Sequence, residues 1–313
     1  MTIALAFDIG LGILLLAVAG WAVAACSTYA ATIAFIVYGL LLAIAWVRLF
    51  AVDVALTEAA IGSGVTGMLL LSAAARLRVI EPAAVAAGTP LRIAVGISCA
   101  LISVALAAAI LFPPDVVFTL APAAMAHLPE SGLGNPVAGV LFVYRSLDTL
   151  LEKAVLLLAL LGVWSLAPDR FWGGIPGLQV YRQRNAILIF FAQILPPLGI
   201  MVGIYMTWVG ADHPGGAFQG GAILAVMWIL VMIAGLRDVP PIGQRWMRLL
   251  VVVGPVVFLA IGLAGFALAG AFLGYPAGYA KPFIIVIEVT LQISIAVTLG
   301  LLAAGPPERI QPQ

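Results

Sequence analysis

Runs of about 20 apolar residues recur along the whole of this 313-residue sequence. Each run is long enough to cross a bilayer as an α-helix, and no polar block large enough for an independent domain lies between them. Hydrophobic residues make up 64% of the chain and charged residues 9%. A soluble domain of this size would expose far more apolar surface than water tolerates. The sequence therefore predicts an all-α, polytopic membrane protein.

The apolar runs predict about nine transmembrane helices. Their predicted bounds are 3–24, 29–50, 53–75, 91–112, 138–166, 185–208, 218–236, 247–272 and 282–303. The fifth is longer than one bilayer crossing requires, so we expect it to tilt or to continue beyond the membrane. The first is expected to be retained rather than cleaved as a signal peptide, because no Lys or Arg precedes it and Asp8 interrupts it.

The distribution of arginines predicts the orientation of these helices. Arginines are concentrated in the loops 76–92, 167–184 and 237–248. The loops 113–137 and 209–217 contain acidic residues without Lys or Arg. Because positive loops remain in the cytoplasm, we predict a protein of the inner (cytoplasmic) membrane with its N-terminus outside and its C-terminus inside. Arg48 is an exception to the rule, and we expect it to pair with Asp53.

Charged residues within the predicted spans are the first candidates for function, because a charge at the centre of a bilayer costs about 2.5 to 3.5 kcal/mol. In YRSLDTLLEKAVLLLALLGVW, residues 144–164, the residues Arg145, Asp148 and Glu152 share one helical face. Arg145 can neutralise one carboxylate and leave the other to carry a proton. A structural ion pair between subunits and an extramembrane turn are the alternatives. Lys153 is expected to point away from this face, toward another helix.

A second acidic residue lies in a glycine-rich helix. In DVALTEAAIGSGVTGMLLL, residues 53–71, Glu58 precedes Gly62, Gly64 and Gly67. Glycines allow a neighbouring helix to approach closely, and they also lower the cost of a local π-type bulge. We therefore weigh plain helix packing against a hinge that re-aims the Glu58 carboxylate.

The last predicted span, KPFIIVIEVTLQISIAVTLG at residues 281–300, contains Glu288 and Gln292 one turn apart. Glu288 has no Lys or Arg within one helical turn. It is therefore expected to meet a cation from another helix or subunit, or to be buried in its protonated form. Participation in an ion path and structural hydrogen bonding both remain open for this residue.

The stretch GADHPGGAFQGGAI, residues 210–223, is glycine-rich but lacks the Lys-Ser/Thr of a phosphate-binding loop and the strand that precedes one. We expect a tight turn that folds into the bilayer at the start of the seventh helix, with backbone amides and a Gln side chain facing water or an ion. Asp212 and His213 would stand at its mouth. The residues of interest are Asp212, His213, Pro214, Gly215, Gly216, Gln219, Gly220 and Gly221.

Three motifs carry a resemblance to known families. PGGAFQGG, residues 214–221, resembles the PGGGF-x-GG signature of the B-type subunit of Mrp-type multisubunit cation/proton antiporters. DVALTEAAIGSGVTG, residues 53–67, resembles the D-type subunit of membrane-bound hydrogenases and the C-terminal part of the A-type Mrp subunit. NPVAGVLFVYRSLDTLLEKAVL, residues 135–156, resembles the E-like segment that follows it, with Lys153 in place of the usual apolar residue. The first five helices are also similar to the J subunit of respiratory complex I.

The resemblance implies a fusion of three parts: a D-like segment with the first E-like helix in 1–112, the remaining E-like segment and a cytoplasmic linker in 113–184, and a B-like four-helix domain in 185–313. It implies a non-catalytic subunit of a Na+/H+ antiporter that contributes to ion and proton translocation and couples antiporter-like subunits. The expected partners are antiporter-like subunits, small C-, E-, F- and G-like subunits, lipid, Na+ and H+. The residues expected in translocation are Glu58, Arg145, Asp148, Glu152 and Glu288.

Two other functions remain open from the sequence. The first is the membrane arm of a redox-driven pump, such as a membrane-bound hydrogenase or a complex I relative, and the second is a structural scaffold between pump subunits. No cofactor is expected in this chain, since Cys26 and Cys99 lack ligand spacing and the two histidines, His127 and His213, lie in predicted outer loops. The net charge of +1 gives no indication of a nucleic-acid partner.

Overall fold

The structure is a computed structural model that describes residues 3–77, 88–113, 119–177 and 186–309. The helices are α1 (Ile3–Ala24), α2 (Thr28–Arg48), α3 (Val52–Thr57), α4 (Thr66–Leu77), α5 (Thr89–Leu111), α6 (Ala121–His127), α7 (Pro136–Gly139), α8 (Ser146–Ser165), α9 (Ala186–Val209), α10 (Ala217–Ile233), α11 (Arg245–Ala269) and α12 (Ala280–Ala304). Short 3-10 helices are formed by Leu128–Ser131 and Asp169–Phe171, and the strands are β1 (Ile175–Pro176) and β2 (Pro307–Arg309).

The predicted all-α membrane architecture is confirmed. Within the described residues, seven helical stretches are long and apolar enough to cross a membrane. They are α1, α2, Val52–Ala75, α5, α9, α11 and α12. The predicted number of nine was approximate, because α10 has 17 residues and α8 carries three charged residues in its first two turns.

The third span is one continuous helical stretch in which a π-helix, Glu58–Val65, joins α3 to α4. The π-type bulge whose cost the glycines lower is thus present in this span. Each residue in a π-helix bonds to the fifth residue before it, so the widened turn changes the direction of the side chains that follow.

The fifth span differs from the continuous helix 138–166 that was predicted. Asn135 caps α7 by accepting a hydrogen bond from the Val137 amide, and a second π-helix, Val140–Tyr144, follows. Arg145 then leaves the helical conformation, with φ −132° and ψ 35°, before α8 begins at Ser146. The interruption places Arg145 outside α8, so it pairs with Asp148 from beyond the helix instead of along one uninterrupted face.

The core of the described chain lies around α12, which packs against α10, α11 and α8. Ile284, Ile287, Leu291 and Ile295 of α12 are each at most 1% exposed. Glycines on the neighbouring helices allow this close approach: a Cβ on Gly254 of α11 would lie 2.9 Å from the Leu291 Cα. By contrast, every residue of α5 is exposed.

The loops gather at two ends of the helices. At one end, which we call the strand end, β1 pairs antiparallel with β2, and the amides of Ile242 and Gly243 donate to the carbonyls of Gly174 and Gly173. At the other, the turn end, residues 134 and 135 bind the 210–213 loop. The described parts of the predicted cytoplasmic loops 167–184 and 237–248 thus lie together at the strand end. Which end faces the cytoplasm remains a prediction.

The expected pairing of Arg48 with Asp53 is wrong. Arg48, at the end of α2, instead donates two hydrogen bonds to Asp8 of α1, at 2.8 and 3.1 Å. Because α1 and α2 are antiparallel neighbours, the start of one helix and the end of the other lie side by side. Asp53 is buried, and its carboxylate instead accepts a hydrogen bond from the Gly215 amide.

Candidate functional site

The 210–216 turn is held in place by Asn135, which is 4% exposed. Its side-chain amide donates to the carbonyls of Gly210 and His213, both at 3.0 Å. The backbone amides of Gly134 and Asn135 both donate to the Ala211 carbonyl. Gly134 and Asn135, at the start of the E-like motif, thus hold the loop that precedes α10.

Two glycines close the turn with backbone angles that other residues rarely adopt. Gly215 has φ 154° and Gly216 has φ 139°. The Gly215 amide donates to the Asp53 carboxylate at 2.9 Å. A Cβ on Gly216 would lie 3.3 Å from a carboxylate oxygen of Glu288. The turn therefore lies directly between an acidic residue at the start of α3 and one within α12.

Helix α10 then passes its first two turns against α3, α9 and α12. The Gln219 amide donates to the Thr57 hydroxyl at 3.0 Å, and the Gln292 amide donates to the Gly203 carbonyl at 2.8 Å. A Cβ on Gly220 would lie 2.5 Å from that same carbonyl oxygen. The small residues of the PGGAFQGG motif therefore allow α9, α10 and α12 to pack closely. The side chains of Gln219 and Gln292 form their hydrogen bonds beside the turn.

A cavity of about 450 Å³ opens beside this turn. It is bounded by the start of α3, by α7 and the first turns of α8, and by the turn with α10 and α12. Its polar lining residues are Asp53, Thr57, Thr149, Glu152, Lys153, Gln219 and Glu288. Residues from all three predicted segments of the chain thus line one cavity. Its volume is sufficient for several water molecules.

Glu288 is the most deeply buried carboxylate at the cavity, with 2% of its surface exposed. It accepts a hydrogen bond from the Ala217 amide at the start of α10. Its Oε2 atom has no hydrogen-bond partner among the described residues. A buried carboxylate oxygen of this kind is costly unless it is protonated or meets water or a cation.

Lys153, the residue that departs from the E-like motif, is also buried at the cavity, with 3% of its side chain exposed. Its Nζ atom lies 3.2 Å from the centre of the Phe218 ring and 3.6 Å from Glu152 Oε1. Within the described chain Nζ has no hydrogen-bond partner. The expectation that this lysine points toward another helix is therefore confirmed, and the helix is α10.

The residues on the other side of α8 lie outside the cavity. Arg145 pairs with Asp148 at 2.5 Å, and these side chains are 70% and 55% exposed. Glu152 lies between the two environments, since it lines the cavity while its side chain is 52% exposed. Of the three charges predicted to share a face, only Glu152 reaches the interior, and Arg145 and Asp148 face outward.

Glu58 occupies a separate position between α2 and the first π-helix. A Cβ on Gly62 would lie 2.5 Å, and one on Gly39 of α2 would lie 2.8 Å, from a Glu58 carboxylate oxygen. Gly67 is close to Ile36 of α2, and Gly64 lies over its own helix. The glycines of this segment thus make room both for a helix and for the carboxylate, and whether the segment acts as a hinge remains a prediction.

At the mouth of the turn, Asp212 accepts hydrogen bonds from Lys281 at 2.7 Å. This contact lowers the pKa of the Asp212 carboxyl. His213 is exposed, and its carbonyl is bound by Asn135. These residues fasten the turn to the start of α12 and to the start of α7.

Sequence reasoning did not select Lys153, Asp53, Thr57 or Phe218 as site residues. The signal for Lys153 was present, because a lysine stood where the resembling segments have an apolar residue. For Asp53 and Phe218 the sequence contains no such signal, since their roles depend on contacts between distant helices. Within the described residues no cluster of three or more His, Cys, Asp or Glu side chains could hold a metal ion.

Comparison with known proteins matches two parts of the chain to family models. Residues 187–304 match the domain related to the MnhB subunit of Na+/H+ antiporter. Residues 13–79 match MbhD, the D-type subunit of MBH. A relative in Methanocaldococcus jannaschii, Uncharacterized protein MJ1307, is 28% identical over 199 residues, which cover 56% of this chain and 76% of that protein.

Two solved structures share the fold. A chain of the Mrp complex from Dietzia sp. DQ12-45-1b matches 97% of this chain with a TM-score of 0.74 and 24% identity, and this chain spans 35% of its length. A chain of the archaeal membrane-bound sulfane sulfur reductase matches 69% of this chain and 98% of its own length, with a TM-score of 0.58 and 24% identity. The chain therefore resembles a fusion, in which a segment similar to the D-type subunit of membrane-bound hydrogenases precedes a domain related to the MnhB subunit of Na+/H+ antiporter.

Proposed function

We propose that this membrane subunit of an Mrp-type complex takes part directly in Na+/H+ exchange, by providing a protonatable site at the cavity between its segments. The observation that carries the proposal is the burial of Glu288 within α12, where it lines the cavity with six other polar residues and one of its carboxylate oxygens has no hydrogen-bond partner among the described residues. The chain acts as a transport subunit without catalytic chemistry of its own.

The energetic argument begins with the position of Glu288 in a transmembrane helix. An ionised carboxylate there costs about 2.5 to 3.5 kcal/mol even on the most lenient insertion scale. Packing alone would be served equally well by Gln or Leu, which cost less. A carboxylate at position 288 is explained if a proton or a monovalent cation must bind there and be released again.

The outward-facing charges are proposed to act at the contact with neighbouring subunits. Arg145 and Asp148 form an exposed ion pair, and Glu152 is half-exposed on the same helix. An exposed charge pair on an α8 that faces lipid would be unfavourable. We therefore place antiporter-like subunits and small C-, E-, F- or G-like subunits against this surface, where Glu152 links their proton pathways laterally. Glu58, between α2 and the first π-helix, is proposed to contribute to the same lateral link from its separate position.

The test is Na+-dependent proton release from everted membrane vesicles that contain the complete complex. The substitution Glu288→Gln keeps the shape and the hydrogen bond to Ala217 but removes the titratable group. We expect the initial rate to fall roughly tenfold or more, as for the loss of an acid-base group. The matched control is Glu130→Gln, because Glu130 is a 75% exposed carboxylate in the loop at the turn end and should leave the rate unchanged.

A scaffold predicts a different outcome. If Glu288→Gln complexes assemble and exchange Na+ for H+ at the native rate, the carboxylate has only a structural role. Reduced assembly with unchanged exchange per assembled complex would lead to the same conclusion, so assembly is quantified in the same vesicles.

A second candidate function is the membrane arm of a redox-driven pump. It is favoured by the match of residues 13–79 to MbhD of MBH and by the shared fold with a chain of an archaeal respiratory membrane complex. In that case the iron–sulfur chemistry belongs to partner chains. Stoichiometric iron and acid-labile sulfide in the gently purified complex would support this function, and their absence together with Na+/H+ exchange would support the antiporter.

A further inference from the structure

The side-chain amide of Gln219, which is 8% exposed, is held in one orientation by Thr57. Its Nε2 atom donates to the Thr57 hydroxyl at 3.0 Å, and that hydroxyl donates its only hydrogen to the Asp53 carbonyl, also at 3.0 Å. Because the hydroxyl oxygen can then only accept, the nitrogen of the amide must be the atom that contacts it. The amide oxygen, Oε1, is therefore the free end, and it accepts no hydrogen bond within the described chain.

Oε1 of Gln219 and Oε1 of Glu288 border the same small space above Gly216. The position that a Cβ on Gly216 would occupy lies 3.2 Å from the first oxygen and 3.3 Å from the second. Apart from Gly216 and its chain neighbours, no other atom of the described residues lies within 4 Å of that position. All three residues line the cavity. Since glycine has no Cβ, the turn leaves a space between two oxygens.

Two acceptor oxygens that border one buried space repel each other unless a proton or a cation lies between them. The amides of the turn do not fill this role, because Gly216 donates to the Met206 carbonyl at 2.9 Å and Ala217 donates to Glu288. A carboxylic acid at position 288 would donate its hydrogen to Gln219. A cation between the two oxygens would bind both of them instead.

We propose that Glu288 and Gln219 form a Na+ site above Gly216, which the ion and a proton on Glu288 occupy in alternation. The inference rests on the proposed function and names the ligands and the competition that it requires. When Na+ binds, the O–H bond of the Glu288 carboxylic acid breaks and the proton leaves to water in the cavity. The neutral acid and the carboxylate with Na+ have the same total charge of zero, so neither state leaves an uncompensated charge in the membrane.

The chemistry of the two ligands suits a small hard cation. Such ions bind carboxylate and amide oxygens and complete their coordination with water. Ca2+, whose ionic radius is close to that of Na+, binds oxygen ligands at about 2.3 to 2.6 Å. A shift of less than about 1 Å in the ends of the two side chains would therefore bring both oxygens into range of an ion at the Gly216 space.

The other titratable residues of the cavity are Asp53, Glu152 and Lys153. The Asp53 carboxylate accepts a hydrogen bond from the turn, and the Lys153 ammonium lies 3.6 Å from Glu152. These groups have polar or charged partners of their own, so the single carboxylate of Glu288 is left for the ion. A monovalent ion neutralises it, whereas a divalent ion would leave one positive charge uncompensated.

The first test measures Na+ binding to the complete purified complex without transport. The thermal midpoint is followed as NaCl replaces choline chloride at constant ionic strength, and its rise gives a half-saturating Na+ concentration. Gln219→Asn and Glu288→Asp each withdraw one ligand oxygen by a methylene group, and we expect each to raise that concentration roughly tenfold or more. The matched control is Gln193→Asn, the same shortening at an exposed amide of α9, which should keep the native value.

The second test examines the competition with protons in the native complex. Because Na+ and the proton exclude each other, the half-saturating Na+ concentration should rise as the pH falls, by up to about tenfold per pH unit while Glu288 is mainly protonated. A half-saturating concentration that stays constant over the pH range of exchange would overturn the shared site.

The outcomes separate this inference from the proposed function. If Glu288→Gln stops exchange while Gln219→Asn keeps the native half-saturating Na+ concentration, the cation site is wrong and the role of Glu288 stands. If Glu288→Gln exchanges at the native rate but loses the Na+-dependent rise in midpoint, the site is supported and the proposed function fails. Should Gln219→Asn complexes not assemble, Thr57→Val takes their place, because it releases the amide of Gln219. A native half-saturating concentration in that variant would contradict the site.

Discussion

Helices α5 and α12 have similar lengths and similar hydropathy, yet they occupy opposite environments in the described chain. Fifteen of the 25 residues of α12 are buried, including Glu288, Gln292, Ser294 and Thr298. All 23 residues of α5 are exposed. The contrast shows that an apolar composition identifies a membrane-spanning helix but does not indicate how it packs.

The physical reason lies in the solvent. Lipid chains are as apolar as Leu, so burial against another helix gains little from the hydrophobic effect, and close packing and interhelical hydrogen bonds decide instead. The neighbours of α12 present Gly220, Gly221 and Gly254 toward it. On α5, a Cβ at Gly96 would meet nothing within 4 Å. Small residues at a contact, together with buried polar groups, distinguish the packed helix from the one available to lipid or to partners.

The largest expected difference concerns large side chains on the two helices. Leu291→Ala on α12 removes a side chain that is 1% exposed and should destabilise the complex by about 2 to 5 kcal/mol. Leu101→Ala on α5 removes one that is 66% exposed and should have a much smaller effect. Denaturant unfolding in detergent measures both. Equal losses would show that partner side chains enclose α5 in the complex as tightly as α10 and α11 enclose α12.

A smaller effect is expected from added methyl groups. Gly220→Ala would place a Cβ 2.5 Å from the Gly203 carbonyl and the Thr207 hydroxyl, so the backbones of α9 and α10 must separate, at a cost of about 1 to 3 kcal/mol. Gly96→Ala on α5 meets nothing within 4 Å and should be neutral or stabilising by up to about 1 kcal/mol. The thermal midpoints of the two variants test this, and a destabilised Gly96→Ala would place a close neighbour on α5.

The smallest expected effect concerns the anchor of α12 at the turn end. Hydrogen bonds from Lys281 lower the pKa of Asp212 below its ordinary value of 3.8. The contribution of this pair is therefore complete above that value and is lost as the pH falls through the lower pKa of the folded state. Because both side chains are partly exposed, it should be below about 1 kcal/mol. In Asp212→Asn, the stability between pH 5 and pH 3 should fall less steeply than in the native complex, and parallel curves would contradict this role.

The sequence was sufficient for those features that depend on local chemistry. Apolar runs located the spans, and the glycines after Glu58 are of the kind that lowers the cost of the π-type bulge observed at Glu58–Val65. The motif around PGGAFQGG predicted a tight turn with polar groups beside a helix. Even Lys153 was visible as an unusual residue, although its environment was not.

These sequence patterns could not predict contacts between distant segments of the chain. Arg48 pairs with Asp8 across 40 residues, and Asp53 is bound by Gly215 across 162. The break at Arg145 turns Asp148 outward while Lys153 turns inward. In each case several oppositely charged or polar partners were available in the sequence, and only the helix arrangement selects one.

For this protein, then, hydropathy, glycine content and charge by themselves determined that the chain spans a membrane and where most of its spanning helices lie. They also identified the charged residues that are unfavourable in a bilayer. Tertiary structure alone decided which of those charges share a cavity. In lipid, the side of a helix that faces its neighbours is determined by close packing at small residues and by hydrogen bonds to other helices. The joining of Lys153, Glu288 and the 210–216 turn at a single cavity is a consequence of that packing.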